Sequence, residues 1–375
     1  MNHFTETTTT SLGGNLLNSL KGILFGFALL VGSIYLLSFN EHRSINQALA
    51  LEEMQEKIIT VDTPTYKTEY ENKPILIYGD IEPINPLEDT IFGVKSDALV
   101  LEREVEMYQW VEHKSSKDEK QLGGSTETVT TYDYEKEWKS YEEDSVSFRY
   151  PENHHNPIMQ YKSKSFSTDA NLGDFYLSEN VVSMLRNSSS YTGLSTMPDT
   201  ILGMSNHKSF LYKGNDVENP EIGDLKISYS QTQKGLYTLA GMTSDKAFGH
   251  YESSNDRSLL FTRSGKVNSS TIFKEEFQSN TILTWVLRGV GLMLMFFGFM
   301  LIMGLIVAIS NIVPIFGSLV EGVTAVIAGG LTLILGSVVI AIAWFASRPM
   351  LSLSIIGVGI ALSALVFFMK NNKKS

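Results

Sequence analysis

Apolar and polar positions are segregated along this chain rather than mixed. No charged residue interrupts 22–39, 289–320, 322–347 or 349–369. A helix crossing about 30 Å of hydrocarbon needs roughly 20 apolar residues, because its backbone groups find partners only within the helix itself. The pattern therefore predicts four transmembrane helices, at 20–39, 285–310, 323–347 and 349–369. The first is no cleaved signal, since no small-x-small site follows Ser38 and the charged Glu41-His42-Arg43 comes next. Residues 311–322, with Pro314 and Phe316 among apolar neighbours, read as an interfacial turn or short helix.

Between the first two spans the period changes. Ile45, Ala48, Leu49 and Met54 keep a helical spacing to about Ile59, and then short runs rich in Val, Ile, Thr and Tyr begin at Pro74 and continue to about Phe261. In Leu99–Val111 the residues Leu101, Val105 and Met107 alternate with Glu102, Glu104 and Glu106, which predicts a strand with one buried and one wet face. A polar loop with Gly123-Gly124 leads to a second alternating run, Thr128–Ser140, so the two form a long hairpin. Further strands are expected at Leu225–Ser230, Leu236–Met242 and Ser258–Thr262, and a helix at Asn171–Leu185. From Ser270 an amphipathic helix runs straight into the second span, with Trp285 and Arg288 at the interface. The fold class is a membrane protein of α+β type: four transmembrane helices and a large β-rich domain, 40–284, outside the bilayer. A disordered Thr- and Ser-rich tail, 1–19, precedes it, and a basic cytoplasmic tail, 370–375, closes the chain.

Charge sharpens this picture. Outside 40–287 lie only Glu6, Glu321 and six basic residues, so that region holds 24 basic against 39 acidic residues, a net of −15. Such a domain is a poor partner for nucleic acid or anionic lipid. With no cysteine, neither a disulfide nor a thiolate metal site can form. Lys21, Lys370, Lys373 and Lys374 flank the spans on the side of the termini and only Arg348 on the other, so the charge rule puts both termini in the cytoplasm and 40–284 outside it. Arg43, Lys57, Lys274 and Arg288 at the edges of the domain are discounted, because long domains translocate largely regardless of charge.

Candidate chemistry is sparse. His154-His155, flanked by Pro151 and Pro157, reads as a surface loop rather than a metal site, and no nucleophile elbow, phosphate loop or dinucleotide fingerprint occurs, so no catalytic residue, metal or cofactor is expected. Two Gly-Asp pairs, at 79–80 and 223–224, are too little to establish a repeat. The aromatic face of the hairpin, Tyr108, Trp110, Tyr132, Tyr134 and Trp138, is a candidate interaction surface or a face covered by another element. Gly22, Gly26, Gly329, Gly330, Gly336, Gly357 and Ala361 are candidates for close helix packing, within one chain or in a homo-oligomer.

The chain carries, in this order, Asn40-Glu41-x-Arg43, Val105-Glu106-Met107-Tyr108-Gln109-Trp110-Val111-Glu112, Tyr134-x-x-Glu137-Trp138-x-Ser140, Pro220-Glu221-x-Gly223-Asp224-Leu225, Ser279-Asn280, Thr284-Trp285-x-Leu287-Arg288 and Arg348-Pro349. That ordered series resembles the transmembrane protein 43 (LUMA) family. The resemblance implies a four-span protein of the endoplasmic reticulum and inner nuclear membrane, self-associating and organising the nuclear envelope with lamins and emerin, without catalytic residues. In a bacterium the same chain would sit in the cytoplasmic membrane. Two functions follow: a non-enzymatic scaffold whose partners are the bilayer, its own copies and other membrane or envelope proteins, or a ligand sensor or hydrolase with a pocket in the β-rich domain.

Overall fold

The computed structural model describes residues 3–345 and 357–361. They divide into two compact units, one made of 3–4, 50–114 and 132–275, the other of 5–49, 115–131, 276–345 and 357–361.

The first unit is β-rich and is built on two large sheets, beside two small sheets of two strands each. The strands β1 (His3–Thr10), β2 (Pro74–Pro83), β3 (Val100–Lys120), β4 (Thr126–Lys139), β5 (Phe210–Lys213), β6 (Leu225–Thr232), β7 (Gly235–Ser244) and β8 (Phe261–Ser264) are its principal members, and the ends of β1, β3 and β4 pass into the second unit. One sheet of nine strands runs in the order β1-β4-β3-β6-β5, then Met204–Asn206 and Thr200–Ile201. β3 and β6 are antiparallel, with Val105 opposite Ile227 and Met107 opposite Leu225. The period of two sends Leu101, Val105 and Met107 inward together with Leu211, Ile227 and Tyr229, which is what the apolar alternation predicts.

The second sheet closes on itself. β2 pairs Ala170–Leu172, which pairs Phe175–Leu177, then Ala247–Gly249, then β7, and β7 returns to β2 with Leu239 opposite Ile77. This five-stranded ring leaves no open edge between its members. Ile75, Ile77, Leu172, Phe175, Tyr237 and Leu239 fill it.

Several expectations fail here for identifiable reasons. The segment 171–185 is two short strands and a single helical turn, Glu179–Val182, because Gly173 adopts φ +57 and reverses the chain where a helix would have continued. A Cβ at Gly173 would stand 2.1 Å from the Pro64 carbonyl. The tail 1–19 is not structureless: its β-branched threonines form β1 along the free edge of β4, and a helix starts at Leu12. On the buried face of β3 the alternation also draws in Arg103 and Gln109.

The second unit is built on three helices: α1 (Leu12–Lys57), α2 (Ser269–Ser310) and α3 (Pro314–Phe345). All three are long and apolar enough to cross a membrane. At 1.5 Å per residue α1 and α2 are about 69 and 63 Å long, so each extends well past the hydrocarbon. The interfacial segment expected at 311–322 is shorter than that, since α3 already begins at Pro314, where the missing amide costs no helical bond. Of the fourth span, 349–369, only 357–361 is described, and it is helical; the remainder lies outside the described residues. The tip of the β3–β4 arm belongs to this unit. Asn15 donates to the Gly124 carbonyl at 2.8 Å, and the Gly123 amide to that of Ile312 at 3.1 Å.

Candidate functional site

The strongest concentration of polar chemistry stands where the apolar stretch of α1 ends. Leu37, Asn40, Glu41 and Ser44 recur at helical spacing and so share one face of α1, while Asn280, Thr284 and Arg288 share one face of α2. The two faces meet. Arg288 donates from Nε to Glu41 Oε1 at 2.6 Å and from Nη2 to Oε2 at 2.8 Å, a two-pronged pair. The indole N–H of Trp344, from α3, donates to the same carboxylate, so one side chain ties three helices together. Glu41 is fully buried and Arg288 is 13% exposed. The guanidinium also lies 4.7 Å from the Trp285 ring centre and 5.8 Å from that of Trp344.

A second layer follows one turn further along. Asn40 donates to the Thr284 carbonyl at 3.0 Å, Arg43 to Asn280 Oδ1 at 3.0 Å and to the Thr284 hydroxyl at 3.1 Å, and Asn280 to the Ser44 carbonyl at 2.9 Å. In the other direction the faces close up. A Cβ on Gly26 would lie 2.7 Å from the Gly298 carbonyl, and one on Gly291 2.6 Å from Leu37, so the two backbones approach as only glycine allows.

The small residues singled out from the sequence divide accordingly. Gly22 and Gly26 face α2, and Gly336 faces Leu292, whereas a Cβ on Gly329 or Gly357 would meet nothing within 4 Å among the described residues. Gly330 is buried and Ala361 exposed. Gly291 and Gly298, the partners on α2, were missed, although they lie four and seven residues from Met295 and Gly291 on the same face.

The aromatic set of the hairpin is split between cover and exposure. Tyr132 and Tyr134 are buried with Phe148, and Phe4, Trp110 and Tyr150 pack on them. His154 is buried too, stacked 3.9 Å from Tyr134 and edge-on to Trp110 at 4.8 Å, so it belongs to the core rather than to a surface loop. His155 is exposed. Tyr134 donates to Glu112 at 2.5 Å and accepts from the Tyr150 amide; burial, with Glu112 beside it, pushes its phenol up to about 12. Tyr108 and Trp138 are half-buried and pack on each other at 5.3 Å.

One buried ion pair went unforeseen. Arg103 donates to Asp89 at 2.6 Å, both side chains being under 5% exposed, and Tyr229 donates to the same oxygen at 2.8 Å. Burial, then Asp89, raises the Tyr229 phenol above its ordinary value. Asp89 precedes β3 by eleven residues in a different local pattern, and periodicity gives no hint of that meeting.

The motif strand of β3 is stitched to the Gly223-Asp224 turn: Tyr108 donates to the Asp224 carbonyl at 2.9 Å and accepts from the Gly223 amide at 2.8 Å. Residues 107–349 match the family model described as Transmembrane protein 43. The chain belongs to the transmembrane protein 43 family. It is 28% identical to Transmembrane protein 43 of Homo sapiens over 357 residues, covering 90% of this chain and 88% of that protein. It is also 28% identical to the Transmembrane protein 43 homolog of Drosophila melanogaster, covering 93% of this chain and 94% of that protein. No solved structure matches it. Within the transmembrane protein 43 family the chain is thus an integral membrane protein with apolar helices and a large β-rich domain. The Asn40-Glu41-x-Arg43, Ser279-Asn280 and Thr284–Arg288 motifs supply most of the polar clamp; Arg348-Pro349 lies outside the described residues.

Proposed function

We propose that this protein is a non-enzymatic membrane scaffold, in which a clamped helix bundle carries a β-rich domain that presents a surface to other membrane proteins. The observation that carries this reading is the clamp itself. Its carboxylate is spent within the bundle, Glu41 accepting from Arg288 and Trp344, so this pair is committed to holding helices together rather than to lining a transport path or attacking a substrate. The pocket reading gains little: the cleft lined by Pro157, Lys213 and Asp224, of about 490 Å³, is open to solvent, and the Asp224 carboxylate is engaged by Tyr212 and the Glu221 amide.

Self-association is part of the proposal, supported by Gly329 on α3, where a Cβ would meet none of the described residues within 4 Å. A Gly329→Cys variant of this cysteine-free chain forms a disulfide-linked dimer in membranes under mild oxidation; a chain that stays monomeric removes self-association from the proposal. In a eukaryotic cell the family resemblance favours the endoplasmic reticulum and inner nuclear membrane.

The charge count favours cytoplasmic termini with 40–284 on the other side, whereas the hydrogen bonds of Gly123 and Gly124 set the arm tip beside the Leu12 end of α1. An arm carrying Lys117, Asp118, Glu119 and Lys120 cannot lie in hydrocarbon, so the two observations assign Ser125 to opposite faces of the bilayer. We side with the charge count. A Ser125→Cys variant reacts with an impermeant maleimide from the non-cytoplasmic side and a Ser375→Cys variant does not; the reverse pattern overturns this sidedness.

A further inference from the structure

We propose that His113, Glu135 and Glu137 form a cross-strand site for a divalent transition-metal ion of the zinc class. His113 comes from β3, and Glu135 and Glu137 are alternate residues of β4, so the period of two puts both carboxylates on the same face of one strand with the imidazole reaching them from the neighbouring one. One ligand atom from each of the three lies within 4.8 Å of the other two. His113 Nε2 is already 2.7 Å from Glu137 Oε1.

The chemistry of the donors selects the ion. Neighbouring ligands around a tetrahedral zinc with bonds near 2.1 Å stand about 3.3 Å apart, so His113 and Glu137 need open by only a fraction of an ångström and Glu135 closes in by a side-chain rotation. Two carboxylates neutralise a divalent charge, and the imidazole favours zinc, copper or nickel over calcium or magnesium, which prefer oxygen donors alone. Water completes the shell, because His113 and Glu135 are exposed. On binding, His113 Nε2 offers its lone pair to the metal, so the bound imidazole is neutral with its N–H on Nδ1. Lys139, 2.7 Å from Glu137 Oε2, keeps that contact, since the metal takes the opposite oxygen. Occupied, the site fastens β3 to β4 at the root of the arm and stiffens it.

The test uses the full-length protein in detergent, stripped of metal and titrated with zinc chloride or calcium chloride. One equivalent of zinc binds saturably, His113→Gln and Glu135→Gln each weaken it by about tenfold or more, His155→Gln leaves it unchanged, and calcium does not compete. Zinc also slows proteolysis within 115–131 in the parent but not in His113→Gln. The replaced side chains are exposed, and far-UV circular dichroism checks that the variants fold. Zinc bound equally by the parent, His113→Gln and Glu135→Gln sits elsewhere and overturns the proposal, as does the absence of saturable binding at millimolar zinc.

Discussion

Replacing Glu41 by Gln keeps the volume of the side chain and removes its charge, which isolates what the clamp contributes. In the parent, the buried carboxylate accepts two bonds from Arg288 and one from Trp344. The amide of Gln has one oxygen where the carboxylate has two, and its NH2 group faces a donor, so Arg288 loses its counter-charge and one acceptor. Removing one partner of a buried pair costs about 3–5 kcal/mol; Arg288 retains 13% exposure, which places the cost near 3 kcal/mol, or roughly a hundredfold in the packing equilibrium. Trp344→Phe deletes a single N–H bond to a charged acceptor and costs about 2 kcal/mol. The double variant Glu41→Leu, Arg288→Leu removes both charges together, which is often neutral, but takes the Glu41 acceptor from Trp344, so it loses about 2 kcal/mol and stays more stable than Glu41→Gln. Urea unfolding of the full chain in detergent, followed by the emission of Trp285 and Trp344 with Trp110 and Trp138 changed to Phe, separates the three. An unchanged midpoint in Glu41→Gln, or a double variant as unstable as the single one, would refute the reasoning.

Gly26→Leu forces its Cβ to within 2.7 Å of the Gly298 carbonyl, so α1 and α2 must separate; a loss of about 2 kcal/mol or more is expected in the same assay, and Gly32→Leu, where a Cβ meets nothing within 4 Å, is the neutral control. The Tyr134 phenol is raised to about 12, so its contribution is fully present below the ordinary tyrosine pKa near 10 and is lost as pH rises through 12; the unfolding midpoint falls over that window, and falls less in Tyr134→Phe. Glu71, held below its ordinary range by the Asp245 amide and Tyr66, acts at the other end: its contribution is present at neutral pH and fades as pH falls below that range, so Glu71→Gln shows a shallower loss of stability on acidification.

Elements repeated along one chain direction were legible in the sequence; meetings between distant segments were not. The spans of α1, α2 and α3 and the hairpin of β3 and β4 follow from period and length alone. The helix expected at 171–185 failed because Gly173 and its packing on Pro64 outweigh local propensity. Threonines 7–10 read as a tail because only the free edge of β4 makes a strand of them. Arg103 shows the limit most clearly. Its position in the alternation marks it as inward-facing, which a charge without a partner would forbid, and the partner, Asp89, stands at a distance no period encodes.

The clamp combines both situations, which explains why its residues could be named as motifs before their purpose was visible. The two charged partners each sit just beyond an apolar stretch, where a charge is tolerated on its own terms: Glu41 after 22–39, Arg288 before 289–320. Read singly, each marks an interface. Together they require that α1 and α2 run antiparallel with one register, because shifting either helix by one residue rotates its face by about 100° and separates Glu41 from Arg288. The glycines keep the same register: counted from the Gly26–Gly298 contact, Asn40 and Thr284 stand 14 positions away on α1 and α2 alike, and Ser44 and Asn280 stand 18. Glu41 and Arg288 are offset from that even count, and the long Arg288 side chain spans the difference along the axis. A charged pair at one end and a glycine contact at the other therefore fix the register of α1 against α2 from two independent kinds of contact.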